Sequence, residues 1–567
     1  MDNLKQTQHL WDQACKLATT GNFEESLAIY YQLLKQHPHE EKIIEAAVEV
    51  NMIAGNFVDA KNLLLKLKKI KNFDYLNYHN LGYCNHKLFL IDDALVNINR
   101  AIEINNKFPQ SYFCRSRIYL EKKQFNLALQ DIDKAIKLYH SNKNVETDIN
   151  FLAELFNTKG QILHENYDYK NAKDEYLKAI KLTNNFEYKI NYGNSLFWSE
   201  GDSNNLKKYW LDLVRENPDR EEGYNNYGLL LMNIGDYLEA KNYFHQALNI
   251  NPKSHIARMN LSLIELSIAN FKDGWVNYES RFYVDANTKY LIRTNKPKWH
   301  PKIKNNKVLI WGEQGIGDEI LYSHLIDKKT FKPENTFLCF THPKIIPLMR
   351  KTFEGYKVFS MQEVTNDNFF DCHIPIASLG QYFRKNISDF NNLNLIPVDL
   401  DRKKEFEKQY KNQNKKLIGI SWKSQAGFGK NCELEDLLPL FTNPELNFVS
   451  LQYGDVSDEI KQFNKKFNAN IIHPKDLDIF NDLDGLLSLI DSCDLIVTTS
   501  NINAHLAGSV NKETHLLSAI SVKLFHYWYS QDGKSLWYPS IKIYKQNKKG
   551  DWEDPVIKVK ESIQKLI

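Results

Sequence analysis

The sequence lacks the features that mark several common classes of protein. Its seven cysteines are scattered, with no CxxC pair and no cluster of Cys with His, which argues against a disulfide scaffold and a structural zinc site. No apolar run approaches the roughly 18 residues that cross a bilayer. The polar N-terminus, MDNLKQTQHLWDQ, has no signal-peptide pattern. We therefore expect a cytoplasmic protein without a transmembrane segment.

An excess of charge of one sign is also lacking. The chain has 73 Lys and Arg against 70 Asp and Glu, a formal net charge of +3. This balance gives no general attraction to nucleic acid or to an anionic membrane, so we expect no nucleic-acid partner. At 567 residues the chain is too long for one hydrophobic core, which predicts two or three domains.

A repeat of 34 residues fills the first half of the chain. Gly21 and Gly55 lie 34 residues apart, and each is followed by Asn-Phe. The clearest copy has small residues where two helices would cross, aromatic residues between them and a proline after the second helix: Gly228, Gly235, Tyr237, Ala240, Phe244, Ala247 and Pro252. This pattern resembles the tetratricopeptide repeat, with about eight copies over residues 1–284.

Such repeats stack because one helix pair cannot bury its apolar face alone, and the stack forms a superhelix with a concave groove. We expect the groove to hold an extended peptide or a partner protein. A scaffold or a homo-oligomer also stays open. Amides on the first helices of the repeats can bond to a peptide backbone, and the candidates are Asn191, Asn225 and Asn226.

The second half of the chain alternates short apolar runs with helical patterns, which is typical of parallel α/β structure. The pattern predicts a connector at 285–304, a first lobe at 305–400, a charged linker helix at 401–416, a second lobe at 417–554 and a terminal helix at 555–567. The predicted fold class is therefore an α-solenoid followed by two Rossmann-type lobes. Two such sheets facing each other place a cleft at their strand ends.

Polar stretches follow four predicted strands and face this cleft. They are GEQGIGD at 312–318, SWKSQAGFGK at 421–430, SLQYGD at 450–455 and TTSNINAHLAG at 498–508. Glycine turns, hydroxyls, lysines and helix N-termini bind phosphate well. Their combination in one cleft favours a nucleotide site.

Each polar stretch also has a purely structural interpretation. Asp318 and Ser500 could serve only as helix caps. His505 could be a hydrogen-bonded core residue, and Lys423 and Lys430 could be solvated. Taken singly, most of these residues fit the structural interpretation better than the functional one.

The ordered set of stretches, with WYP at Trp537–Pro539 and GDW at Gly550–Trp552, resembles bacterial glycosyltransferases that carry tetratricopeptide repeats. Their catalytic half is akin to the lipopolysaccharide heptosyltransferases, which have the GT-B fold. Related repeat-fused enzymes include flagellin glycosyltransferases that use nonulosonic acids and, more distantly, the protein O-GlcNAc transferases. The resemblance implies transfer of a sugar from a nucleotide-sugar donor to a Ser or Thr of a protein, with flagellin as one candidate.

The resemblance also implies roles for single residues, with Asp318 as the candidate general base. The stretches and the resemblance together give the donor-binding candidates: Gly315, Gly317, Ser421, Lys423, Lys430, Gln452, Ser500, Asn501, Asn503 and His505. We expect no cofactor beyond the donor, and no metal, because no acidic pair is clearly placed for Mg²⁺ or Mn²⁺.

The donor is left open among three classes. Many relatives have Asp-Thr where this chain has Ser500-Asn501. A less acidic pocket would tolerate a donor sugar with its own carboxylate, such as a CMP-nonulosonate, while a UDP-sugar and ADP-heptose remain alternatives. Two other functions also stay open: a transferase that builds a surface glycan of the lipopolysaccharide type, and a non-catalytic repeat scaffold whose transferase half has decayed.

Overall fold

The structure is a computed structural model, and it describes residues 2–141, 148–201, 204–284, 292, 294–304, 306–391, 393–411, 415–424, 430–520, 526–528, 532–548 and 550–565. Eight of the 20 residues of the predicted connector, at 285–291 and 293, lie outside these residues, as does 425–429 of the SWKSQAGFGK stretch. The chain divides into two compact units, Met1–Leu213 and Val214–Ile567.

Helices alone make up the first half of the described chain. Sixteen of them precede the first strand in the described ranges: α1 Asp2–Thr19, α2 Phe23–Gln36, α3 Glu41–Ile53, α4 Phe57–Leu67, α5 Tyr75–Lys87, α6 Ile91–Ile104, α7 Pro109–Glu121, α8 Phe125–Ser141, α9 Ile149–Glu165, α10 Tyr169–Thr183, α11 Phe186–Glu200, α12 Asn204–Glu216, α13 Glu221–Asn233, α14 Tyr237–Ile250, α15 His255–Ser267 and α16 Phe271–Tyr278. They form eight successive pairs, as the repeat period predicts.

Small residues set how closely the helices of a pair approach. Ala94, Ala128 and Ala240 recur on the second helices and are fully buried. In the pair of α13 and α14, a Cβ added at Gly228 would lie 2.9 Å from the ring of Phe244. A larger residue at this crossing would have to push the two helices apart.

The last helix pairs and the α/β part belong to one compact unit, and this unit begins at Val214. The helix pairs themselves continue to Tyr278 at the end of α16. Trp275 on α16 is only 1% exposed, and its indole N–H donates to the carbonyl of Arg384 at 2.9 Å. The aromatic face of the final pair is therefore buried on the first lobe rather than on another repeat.

The first lobe is built on a parallel sheet. Its strands in the described chain are β1 Val308–Trp311, β2 Thr336–Phe340, β3 Lys357–Ser360 and β4 Cys372–Pro375, in the order β3-β2-β1-β4. Its helices are α17 Ile316–Ser323, α18 Ile346–Thr352 and α19 Gly380–Phe383. Every residue of β1 and β2 is buried, as expected for parallel strands covered on both faces.

The second lobe is built on a larger parallel sheet. Its strands in the described chain are β5 Lys416–Ser421, β6 Leu446–Ser450, β7 Ile471–Ile472, β8 Leu495–Thr499, β9 Thr514–Ser518 and β10 Ile541–Lys545, in the order β10-β9-β8-β5-β6-β7. Its helices are α20 Leu400–Tyr410, α21 Ser457–Phe467, α22 Leu483–Ser492, α23 Ile502–Ser509 and α24 Glu553–Gln564. The predicted fold class, an α-solenoid followed by two parallel α/β lobes, is confirmed.

The sequence analysis missed one strand, β10. Its sequence, IKIYK, alternates apolar residues with lysines, so it lacks the continuous apolar run of the other strands. In the structure it lies at the sheet edge beside β9, with Ile541 buried and Lys545 exposed. Edge strands need only one apolar face, which explains the weak signal.

The cysteines and the hydropathy of the helices complete the description of the fold. All seven cysteines lie in the described ranges and are free thiols. None of the helices formed by the described residues combines the length and the hydropathy needed to cross a bilayer.

Candidate functional site

The turn after β1 leads into α17 and holds Asp318 at the start of that helix. Gly315 is the N-cap, and its N–H donates to Oδ2 of Asp318 at 3.2 Å, which is the half of a capping box that a glycine N-cap allows. The hydroxyl of Tyr527 is also hydrogen-bonded to the Asp318 carboxylate. Asp318 therefore does serve as a cap, and it also faces a second segment of the chain.

The helix that follows β8 meets this turn directly. A Cβ added at Gly317 would lie 2.9 Å from Cδ2 of His505, so only glycine permits this approach of α17 and α23. The His505 ring lies 5.3 Å from Tyr527 and 5.0 Å from Trp528, centroid to centroid. The structure thus brings Gly317, Asp318 and His505 together at one place between the two sheets.

His505 is an uncharged residue at neutral pH. Burial, together with the positive charge of Lys430, lowers its pKa to about 3. Lys430 is itself buried, with 7% of its surface exposed.

The loop between β8 and α23 is held by neutral groups. The Ser421 hydroxyl lies 2.6 Å from that of Thr498, and Nδ2 of Asn501 donates to Ser421 at 3.0 Å. Asn501 caps α23 by accepting from the N–H of Asn503 at 2.9 Å. The indole of Trp528 donates to the Ser500 hydroxyl at 2.7 Å. The capping leaves fewer free N–H groups at this helix end than the sequence analysis expected.

Two polar atoms beside this loop are buried without a hydrogen-bond partner among the described residues. They are Oγ1 of Thr499 and Oδ1 of Asn503. Asn503 uses its amide hydrogen on the carbonyl of Leu451 at 3.0 Å, which leaves its oxygen available. Buried polar atoms are nearly always paired in proteins, so a polar ligand at this loop would complete the bonding.

The second polar stretch is split between two environments. Gln452 accepts from the N–H groups of Trp422 at 2.9 Å and Lys423 at 2.8 Å, so it fixes the backbone after β5. The Lys423 side chain pairs with Glu459 at 2.9 Å and Glu433 at 3.4 Å. The charge of Lys423 is therefore already balanced by two carboxylates.

The sequence analysis missed the groups that surround Asp318. Tyr527 and Trp528 come from the short 3₁₀ turn at His526–Trp528, which has no motif of its own. Glu313, inside the GEQGIGD stretch, is buried and bonded to Arg281 at 2.6 Å. A charged pair at this burial was not foreseeable from local sequence.

A second buried carboxyl, Glu319, follows Asp318 on α17. It accepts from the N–H of Thr341 at 2.7 Å and from its hydroxyl at 2.9 Å. Burial raises the pKa of Glu319 to about 8, although the bonds from Thr341 act against that rise. The carboxyl therefore ties α17 to the end of β2.

The amide candidates of the repeats form pairs between neighbouring first helices. In the first unit, Nδ2 of Asn191 donates to Oδ1 of Asn157 at 3.0 Å. In the second unit, Nδ2 of Asn260 donates to Oδ1 of Asn225 at 3.0 Å, and Asn226 lies 3.4 Å from Asn225. The first pair borders a groove of about 510 Å³, which Gln161, His164, Asn191 and Asn194 help to line.

No group of three or more His, Cys, Asp and Glu is arranged to hold a metal ion within the part of the chain that the structure describes.

Comparison with known families identifies the repeats. Residues 153–186 and residues 221–254 each match a model described as "Tetratricopeptide repeat". These segments correspond to α9 with α10 and to α13 with α14. The chain therefore carries tetratricopeptide repeats in both compact units.

Among known proteins, the chain is similar to Protein FlbA of Caulobacter vibrioides, with 24% identity over 413 residues, or 61% of this chain and 68% of FlbA. It is also similar to the human Protein O-mannosyl-transferase TMTC1, with 21% identity over 246 residues, or 43% of this chain and only 20% of TMTC1. A solved tetratricopeptide repeat protein from Parabacteroides merdae covers 46% of this chain and 99% of its own, with 12% identity and a TM-score of 0.37.

Proposed function

We propose that this chain is a glycosyltransferase that moves a sugar from a nucleotide-sugar donor to a hydroxyl of a protein acceptor, which the repeats bind. The observation that carries the proposal is the meeting of Asp318 and His505, each at the start of a helix that follows a strand of a different sheet. A carboxylate from one lobe and a phosphate-suited loop from the other is the arrangement that transfer requires.

In the proposed mechanism, Asp318 acts on the acceptor and the N-terminal end of α23 acts on the donor phosphate. Asp318 takes the proton from the acceptor hydroxyl while the oxygen of that hydroxyl attacks the anomeric carbon of the donor. The bond between that carbon and the phosphate oxygen breaks, and the charge passes to the leaving nucleotide. Lys430 and the N-terminal end of α23 stabilise this charge, because both lie beside His505.

The expected metal independence remains part of the proposal. Lys423 and Lys430 both stay candidates for the phosphate contact, and Lys423 would have to exchange its bonds to Glu459 and Glu433 for the phosphate. The donor class stays open between a CMP-nonulosonate, a UDP-sugar and ADP-heptose.

The acceptor side of the proposal draws on the repeats. Paired amides on successive first helices can bond to the main chain of an extended peptide without reading its side chains. TMTC1 is named as a protein O-mannosyl-transferase, which is consistent with a protein acceptor. A repeat-bound protein would then offer a Ser or Thr hydroxyl to Asp318.

The first test is nucleotide binding by the full chain. We expect one of UDP, GDP, ADP or CMP to raise the melting temperature without added metal, since a ligand at about 100 times its Kd stabilises a fold by roughly 2.7 kcal/mol. Lys430→Met should abolish the shift. Lys461→Met removes an exposed lysine of α21 and is the matched control, in which the thermal shift should remain.

A non-catalytic repeat scaffold is the second candidate function. The observation that favours it is that the Asp318 carboxylate already accepts from the N-cap N–H of Gly315 and that Lys423 is already neutralised. Hydrolysis of a nucleotide-sugar by the purified chain separates the two. No hydrolysis and no thermal shift with any nucleotide, together with peptide capture by the repeats, would establish the scaffold.

A further inference from the structure

The segment that follows the last repeat helix reaches into the turn that carries Asp318. Arg281 lies in the 3₁₀ turn Glu279–Tyr283 directly after α16 and has no exposed surface. Its guanidinium bonds both oxygens of Glu313, each at 2.6 Å. Glu313 is only 3% exposed and lies within the GEQGIGD stretch, so the pair ties the end of the solenoid to the turn.

The guanidinium has further partners that hold it in one orientation. It donates to the carbonyl of Tyr278 at 3.1 Å, to Glu279 at 2.9 Å and to the Ser378 hydroxyl at 2.9 Å. Its plane also lies 4.0 Å from the ring centre of Phe282. Since all these partners are rigidly packed, Arg281 has little freedom to let Glu313 move.

A second bond from the last repeat reaches the next residue of the turn. Gln314 has φ of +68°, a left-handed conformation that is strained for a residue with a side chain. Nε2 of Gln314 donates to the hydroxyl of Tyr278 on α16 at 3.0 Å. That hydroxyl lies 3.2 Å from the hydroxyl of Tyr322 on α17, so Tyr278 contacts both the turn and its helix.

Stability alone is a poor explanation for this buried pair. Two charges removed from water gain little over well-packed apolar residues of the same size, so such a pair more often serves to specify a geometry. Here the geometry is that of the backbone just before Asp318. A strained residue also persists only where its surroundings hold it.

We propose that Arg281 and Tyr278 are positioning residues, through which the last repeat holds the GEQGIGD turn so that Asp318 faces the reacting groups. The inference rests on the proposed transferase function. It makes the final helix pair a part of the catalytic half and not only a part of the acceptor-binding solenoid. Neither residue needs to touch donor or acceptor.

The main test is the double variant Arg281→Met/Glu313→Leu, which removes both charges of the pair, while Glu279, the other carboxylate on Arg281, keeps Lys298 at 3.3 Å. We expect it to fold with nearly the melting temperature of the unmodified chain. Its kcat should fall about 10- to 100-fold, since misplacement by about 1 Å costs on the order of 10²-fold, while the Kd for the nucleotide stays the same. Unchanged kcat in the folded variant would overturn the proposal.

Tyr278→Phe is the second, milder variant. It keeps the ring and removes only the hydroxyl that contacts Gln314 and Tyr322. We expect kcat to fall several-fold without a change in KM for the donor. The matched control is Arg115→Met, which breaks a comparable bidentate pair with Asp131 in the first unit, at 2.7 and 2.8 Å. If Arg115→Met lowers kcat for donor hydrolysis equally, the effect is one of general stability and the proposal fails.

Amide exchange separates this proposal from the proposed function. If the unmodified chain transfers no sugar, the transferase proposal fails, but the turn can still be observed. Faster exchange at Gly312–Asp318 in the double variant, and not in Arg115→Met, would show that the last repeat positions the turn. Equal exchange in the two variants would reject the positioning role as well.

Discussion

The turn after β1 and the loop after β8 have the same strand–turn–helix form but are held by opposite kinds of chemistry. The first is fixed by buried carboxyl groups, with Glu313 paired to Arg281 and the protonated Glu319 accepting from Thr341. The second is fixed by neutral hydroxyls and amides around Asn501. The contrast teaches that charge is used where a backbone must be oriented, while the loop suited to phosphate carries no carboxylate that would repel an anion.

The first prediction concerns Asp318, the carboxylate of this turn that we propose as the general base. We expect Asp318→Asn to lower the rate of sugar transfer by about 10²–10⁴, the contribution typical of a general base, while nucleotide binding is retained. Initial rates with a labelled donor measure this. Asp327→Asn, which alters a carboxylate capping Thr330 beyond α17, is the control. Full activity of Asp318→Asn would mean that Asp318 is only a cap.

The second prediction concerns pH and the charged turn. Because the pKa of Glu319 is raised to about 8 in the folded state, the carboxyl keeps its proton where the unfolded chain, with a pKa of 4.5, has lost it. The free energy of unfolding should therefore decrease as the pH rises from about 4.5 to about 8, by up to about 5 kcal/mol.

Glu319→Gln should remove this slope, since the amide cannot ionise and its oxygen still accepts from Thr341. Urea unfolding at about pH 5 and about pH 8 measures the difference. The same substitution at exposed Glu334 should leave the slope unchanged. A slope that persists in Glu319→Gln would assign the pH dependence to another group.

The third prediction breaks the neutral loop. Asn501→Ala removes the bonds to Ser421 and to the N–H of Asn503. We expect about tenfold weaker nucleotide binding, or about 1.4 kcal/mol, because the loop loses its fixed shape. Asn185→Ala removes a comparable N-cap on α11, which accepts from Glu187 at 2.8 Å, and should cost only helix stability. Equal nucleotide affinity in the two variants would refute a donor role for the loop.

The smallest effect is expected where neutral amides recur in the repeats. Asn191→Ala should weaken binding of a random-sequence peptide pool a few-fold, since one pair of backbone bonds is worth about 0.5–1.5 kcal/mol. Fluorescence anisotropy of the labelled pool measures this. Asn97→Ala, on the second helix α6, where the amide bonds only to Asp93, should have no effect. If both variants bind equally, the peptide does not use the first-helix amides.

Much of the fold was predictable from local sequence. The 34-residue period and the buried alanines follow from helix crossings that repeat, and they predict α1 to α16. The alternation of apolar runs and helical patterns predicts most strands, because fully buried strands show as continuous apolar runs. The edge strand β10 was missed because only half of its side chains are buried.

The site was predictable in its segments but not in its contacts. The GEQGIGD and TTSNINAHLAG stretches were singled out because glycines, hydroxyls and helix starts after strands show in the sequence. That Gly317 contacts His505, and that Tyr527 bonds Asp318, depends on segments far apart in the chain. The preference of Lys423 for Glu459 is likewise set by the packing of α21.

By itself, therefore, the sequence determined the repeats, the two lobes and the loops at which a ligand would bind. These are local properties, since helix period, strand burial and turn residues act within a few residues of each other. Only the tertiary structure decided that Arg281 pairs with Glu313, that Lys423 pairs with Glu459, and that the last repeat belongs to one compact unit with the two lobes. The physical reason is that charge pairing and desolvation depend on which distant segments the topology brings together.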